Sequence, residues 1–309
     1  MEQHQVDIFK KCLSTIHIKE IQDRIGNFKR TVDPRTISED RLKQELSRLF
    51  YVNFRGKEAT FFLKTDTYTH EHQKFFFYRI RKLKNEDVQN IYTKNFESIR
   101  NESDVWETPE SKIKVRGRLN DVNQSVLYAS SELSNAMYET NCVEGDYFFV
   151  IVYKNVGQMR VSQIHIDNHF PEFDELENAK IAMMSNFLRE EFTRYVPQGQ
   201  EYKYRISHAI YKQFFCSNDV DAFTYPSVKS LHTTGYNICF EKSKSRKNLR
   251  FLGVMVCRAS KQNAKSEFNL EIYYDGFLND SGTFDFYSPN SEISRKKFGN
   301  FTLVRDMGL

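Results

Sequence analysis

The sequence predicts an α+β fold: a mixed, mostly antiparallel sheet core with a helical region added at the N-terminus. Three observations carry that expectation. Up to about residue 50 the apolar side chains recur at helical intervals. From residue 74 onward, short apolar runs bounded by turn residues recur along the chain. Hydrophobic side chains make up 39% of the 309 residues, with 27 Phe and 17 Tyr, enough to build a core and to exclude wholesale disorder. A chain of this length forms one large or two modest domains. The expected division is a helical region over 1–70 and a second domain over 71–309. No Pro/Gly/Ser-rich linker parts them, so the helices are expected to brace the core.

Ile8, Phe9, Cys12, Leu13, Ile16, Ile21, Ile25 and Phe28 keep a mostly helical spacing, and Asp33-Pro34 ends it. Thr36 and Glu39 match a capping box, and Leu42, Leu46 and Leu49 line one face of the helix that follows. Residues 74–83 read as a strand, with Phe75, Phe77 and Arg79 on one parity and Phe76, Tyr78 and Ile80 on the other. A polar stretch to 114 holds one helix-like piece near 86–99.

The central stretch is 115–139. Gly117 allows a sharp turn between Arg116 and Arg118, and Asn120-Asp121 continues the turn signal. Residues 125–129 form a short buried strand. Ser130 and Ser131 are candidate helix caps, and the helix runs to about Thr140 with Leu133, Ala136 and Met137 on its apolar side. Glu139 falls at the margin of that side.

Residues 146–154 form the clearest buried strand, which 157–167 is expected to join through a turn at 155–157. An acidic loop over 168–180 precedes an amphipathic helix at 181–195, which Pro197 and Gly199 end, and a second helix spans about 201–215. Strands follow at 222–225 and near 235–241, 250–258, 268–275 and 283–287. Between and after them, the basic runs 242–250 and 295–297 read as solvated hairpin loops.

Composition excludes several classes. The net charge of +4, from 45 basic and 41 acidic side chains, is too nearly balanced to argue for nucleic acid as a partner. Cys12, Cys142, Cys216, Cys239 and Cys257 are scattered and odd in number, which fits a reducing compartment and no Cys-rich zinc site. The opening residues lack a signal-peptide core, and runs such as 147–153 fall far below the roughly 20 residues that span a bilayer. The expectation is a cytoplasmic protein that does not engage membranes. His165 and His169 have the spacing of a helical metal pair, but the residues before them read as strand, so no metal site is expected.

Each candidate side chain has an ordinary alternative. Arg79 and Arg118 are able to grip a diphosphate bidentately, and either is equally at home in a surface ion pair. Tyr128 suits stacking on a planar group and also suits filling a core edge. A carboxylate such as Glu139 stabilises an oxocarbenium-like centre or holds a ribose hydroxyl, unless it is simply a solvated helix residue. Ser227 follows Pro226 without a nucleophile elbow around it, so it is an orienting hydroxyl or a turn residue.

Their order along the chain is more informative than any one of them. Tyr78-Arg79, Gly117-Arg118-Leu119-Asn120, Leu127-Tyr128-Ala129-Ser130, Ala136 three before Glu139, and Tyr225-Pro226-Ser227 before a strand Gly235-Tyr236-Asn237-Ile238-Cys239-Phe240 together resemble the RES domain, over about residues 75–260. Leu119 stands where an aromatic is usual, and Asp121-Val122 replaces a Pro/Gly-rich continuation. The resemblance implies a core of ADP-ribosyltransferase-like type and an NAD-degrading, toxin-like activity. NAD is then the substrate, with no further cofactor. It also implies roles: Glu139, Arg118 and Ser227 in catalysis, and Arg79, Tyr128 and Asn120 in holding the dinucleotide. The reading is an NAD glycohydrolase that cleaves the nicotinamide–ribose bond. The alternatives are a non-catalytic nucleotide-sensing or partner-binding module of the same fold, and ADP-ribosyl transfer to a protein acceptor. An antitoxin or immunity protein, and a second copy of the chain, are the partners left open.

Overall fold

The structure, a computed structural model, describes residues 3–62, 64–69, 74–164, 170–227, 235–262 and 268–299. In chain order the elements begin with α1 (Gln3–Leu13), α2 (Ile18–Thr31), α3 (Glu39–Phe50), β1 (Tyr51–Phe54), β2 (Lys57–Thr60), β3 (Lys64–Tyr68), β4 (Phe76–Lys82) and α4 (Asn85–Gln89). Next come β5 (Val126–Ser130), α5 (Leu133–Glu139), β6 (Tyr147–Asn155), β7 (Arg160–Ile164), α6 (Glu175–Thr193) and α7 (Tyr204–Ile210). The last are β8 (Ala222–Pro226), β9 (Tyr236–Glu241), α8 (Lys242–Asn248), β10 (Leu249–Gln262), β11 (Phe268–Leu278), β12 (Phe284–Tyr287) and α9 (Glu292–Phe298). This is an α+β fold, mixed and mostly antiparallel, with N-terminal helices.

Contacts divide the chain into two units. The first gathers Met1–Thr67, Ile113–Gln124 and Arg160–Pro226; the second gathers Tyr68–Lys112, Ser125–Met159 and Ser227–Leu309. In this division the N-terminal helices share their unit with α6 and α7. What joins them is a cluster of rings. Phe50 meets Phe62, Phe187 and Phe214 with centroids 4.9, 5.9 and 5.0 Å apart, and Phe28 meets Phe187 at 5.5 Å. Most cross edge to face, which the aromatic quadrupole favours. Backbone ends are tied as well: buried Lys180 donates to the Leu13 carbonyl at 2.8 Å, and Arg205 donates to the carbonyls of Pro34 and Ile37 at 2.8 and 2.6 Å.

The second unit is built on seven strands in the order β12-β11-β10-β6-β4-β5-β9, and every pair is antiparallel. The central strand β6 reads Tyr-Phe-Phe-Val-Ile-Val-Tyr because both its faces are covered. On one face Tyr78, Ile80, Phe148, Val150 and Val152 pack against Leu133, Ala136 and Met137 of α5. That packing fixes α5 on this face of β4.

Several local expectations are corrected. The N-terminal helical run is two helices, because the Ser14 and Thr15 hydroxyls bond back to the carbonyls of Lys11 and Cys12 and end α1. The cap of α3 is Ser38, whose Oγ accepts from Arg41 N–H, and not Thr36. β7 does not extend a hairpin from β6; it runs parallel to β8, while β6 lies between β4 and β10. Half of the acidic loop is helix: Asp174 and Glu177 form a capping box, and acidic side chains suit a helix N-terminus. The basic stretch 242–250 is not a hairpin loop but includes helix α8, and 295–297 lies within α9. His165 and His169 lie outside the described residues.

Candidate active site

Glu139 is the last residue of α5, where the helix dipole disfavours a negative charge. The side chain is half-buried, so its carboxylate needs donors. Two are supplied to the same oxygen. Ser227 Oγ–H donates to Glu139 Oε1 at 2.9 Å, and Asn237 Nδ2–H donates to it at 2.8 Å. Residues 88 and 98 positions apart thus meet at one atom.

The sheet makes this meeting possible. Asn237 on β9 pairs with Ser130 on β5, which pairs with Tyr78 on β4, so the three side chains share the face that α5 covers. Ser130 and Ser131 do not cap α5, since Glu132 occupies the cap position. Ser130 Oγ–H instead donates to Asn237 Oδ1 at 2.7 Å, and Ser131 Oγ accepts from Tyr236 N–H at 2.9 Å. Gly235 lets β9 approach the start of α5: a methyl group there would meet Glu132 Cδ at 2.8 Å and collide with Asn135. Sequence reasoning placed Asn237 within a family motif but gave it no role. The signal was an Asn on a strand of otherwise apolar and aromatic residues, where a buried amide requires partners.

Tyr128 pairs with Cys239 and shares the parity of Ser130, which puts it on the same sheet face as Glu139's supports; it is half-buried there. Arg79 is elsewhere. It alternates with Tyr78 and Ile80, so it projects from the opposite face of β4. Its guanidinium donates to the Trp106 carbonyl and, at 3.4 Å, to Thr108 Oγ1. Next to it is Tyr153, whose phenol full burial pushes up to about 12 even with Arg79 beside it. The sheet therefore separates Arg79 from Glu139.

Arg118 and Asn120 belong to the first unit. Asn120 O accepts from Gly117 N–H at 3.0 Å, and Asn120 Nδ2 donates to the Asp121 carbonyl at 3.0 Å. Arg116 clamps Asp121 through both carboxylate oxygens, at 3.0 and 2.7 Å. Burial works against the Asp121 charge, but the bonds from Arg116 and from Val122 N–H outweigh it and hold the carboxyl below its usual range. Leu119 is fully buried.

Arg118 is 9% exposed, and its guanidinium lies over the rings of Tyr204 and Tyr225, at 5.1 and 5.8 Å. Its Nη2 donates to the Arg194 carbonyl at 3.2 Å, while its Nη1 has no acceptor among the described residues. Such an N–H group has capacity for an anion. Among the described residues, no group of three or more His, Cys, Asp or Glu side chains is placed to hold a metal ion. Nor is any described helix long and apolar enough to cross a membrane.

Residues 96–248 match the family model described as RES domain. The match takes in Arg118, Asn120, Tyr128, Glu139, Ser227 and Asn237, and begins after Arg79. No curated protein and no solved structure matches the chain.

Proposed function

From the match of residues 96–248 to the RES domain family, we propose that this chain is an enzyme that cleaves the nicotinamide–ribose bond of NAD, with Glu139 as the acid on which the reaction depends. The observation that supports this most is the convergence of the Ser227 and Asn237 donors on one oxygen of Glu139. Departure of nicotinamide leaves positive charge on the anomeric carbon and ring oxygen of the ribose. A fixed carboxylate nearby stabilises that charge, and it does so best when it need not reorganise as the charge appears. Donors from two different segments hold Glu139 in that way. Ser227 and Tyr128 serve the nicotinamide end in this reading.

Arg118 and Asn120 are assigned to the diphosphate from the family pattern alone. Arg79 is left out of the reacting group, since it projects from the other face of the sheet. Water as acceptor gives ADP-ribose and nicotinamide. Loss of NAD harms the cell that carries the enzyme, which is the toxin-like role the family implies, with an antitoxin or immunity protein as its natural counterpart.

The test is nicotinamide release from NAD by the purified protein. Glu139→Gln keeps the side chain's shape and removes its charge, and is expected to slow release at least about 100-fold. Equal rates in the two proteins, or no release by wild type, would refute the assignment. The fate of the ADP-ribose, free or attached to protein, tells which acceptor is used.

A further inference from the structure

Asn237 touches both the acid and the sheet that carries it. It is 3% exposed, and so is Ser130. Its Oδ1 accepts from Ser130 Oγ–H at 2.7 Å, and its Nδ2–H donates to Glu139 Oε1 at 2.8 Å. The amide has one sensible orientation. Turned over, it would set its carbonyl oxygen against the carboxylate, two acceptors facing each other. A Glu side chain at the end of a seven-residue helix has several rotors to immobilise. The Ser227 hydroxyl turns about a single bond, so that bond alone sets where its proton points. The Asn237 amide is planar and held at both ends.

We propose that Asn237 is a positioning residue for Glu139, and that the run of hydrogen bonds from Ser130 through Asn237 fixes the conformation in which the acid meets its substrate. Its consequence for catalysis rests on the NAD-cleaving reading above; the hydrogen-bonded run itself does not. Replacing Asn237 by Asp keeps the shape and the acceptor for Ser130, but turns the donor facing Glu139 into a second carboxylate oxygen. The acid is then repelled from its place.

Two measurements test this. In ¹⁵N-labelled protein the Asn237 side-chain amide, identified by its loss in Asn237→Asp, is expected to shift in both Glu139→Ala and Ser130→Ala. A signal that stays put in Glu139→Ala overturns the proposal whether or not the protein turns over NAD. In steady-state kinetics, Asn237→Asp is expected to lower kcat about 10- to 100-fold with little change in KM, as loss of one bond to a charged group implies. Adding Ser130→Ala to it is expected to cost little more, because both changes break one run. An unchanged kcat, or a loss confined to KM, in an active protein overturns the proposal. Should wild type release no nicotinamide, the function assigned above falls and the amide signal alone decides. The same signal decides if Asn237→Asp fails to fold, since the amide resonance is then identified by sequential assignment.

Discussion

Glu139 takes its character from where the chain puts it. At a helix C-terminus, half-buried, a carboxylate is poorly placed by itself, and the Ser227 and Asn237 donors offset that. Gly235 is the residue that allows this. With a side chain there, β9 and the first turn of α5 cannot both keep their places, because Glu132 and Asn135 already fill the space. Gly235→Ala is expected to cost about 1–3 kcal/mol, the usual cost of overpacking, seen as a lower urea midpoint. An unchanged midpoint would mean that the contact relaxes freely.

Between elements, α7 and the turn beside it set a pH dependence of stability. His208 of α7 is buried, and its ring nitrogen lies 3.3 Å from Gln124 Oε1. Burial is the main cause that pushes the imidazole from its ordinary 6.5 down to about 4. The Asp121 charge pulls it up, Arg116 and Lys212 push it further down, and Glu39 pulls it up weakly. The unfolded chain takes up this proton near 6.5 and the folded chain only near 4. Between those values the unfolded state binds more protons, so stability falls as the pH falls, by up to about 1.4 kcal/mol per pH unit from this group. His208→Gln is expected to flatten the stability profile over that window and to leave it unchanged above it. Parallel profiles for the two proteins, by urea denaturation at a series of pH values, would rule this out.

For the whole chain, the question is what the N-terminal helices do. Phe28 and Phe50 cover Phe187 and Phe214, which lie beyond residue 170. A fragment spanning residues 71–309 lacks those rings and also Phe62. It is expected to bind a dye for exposed apolar surface and to aggregate, since each uncovered Phe forfeits about 1.5–3 kcal/mol of burial. A dispersed fragment with full helical signal would show that residues 1–70 are dispensable to the rest.

What the sequence determined by itself is what local patterns encode. Period-2 and period-3.6 apolar spacing located β4, β6, α3 and α5, because each is set by which side chains must leave water. The ordered motifs from Tyr78 to Phe240 indicated the family, and the parity of 74–83 already put Arg79 opposite Tyr78. Tertiary structure decided the rest. That Arg79's parity faces away from α5 follows only from which face α5 packs on, and that β7 pairs in parallel with β8 only from long-range pairing. The cap moved from Thr36 to Ser38 because near neighbours compete for the same N–H groups on equal local terms. Above all, the convergence of Ser227 and Asn237 on Glu139 joins residues 88 and 98 positions apart through long-range packing, which leaves no local mark on any of them.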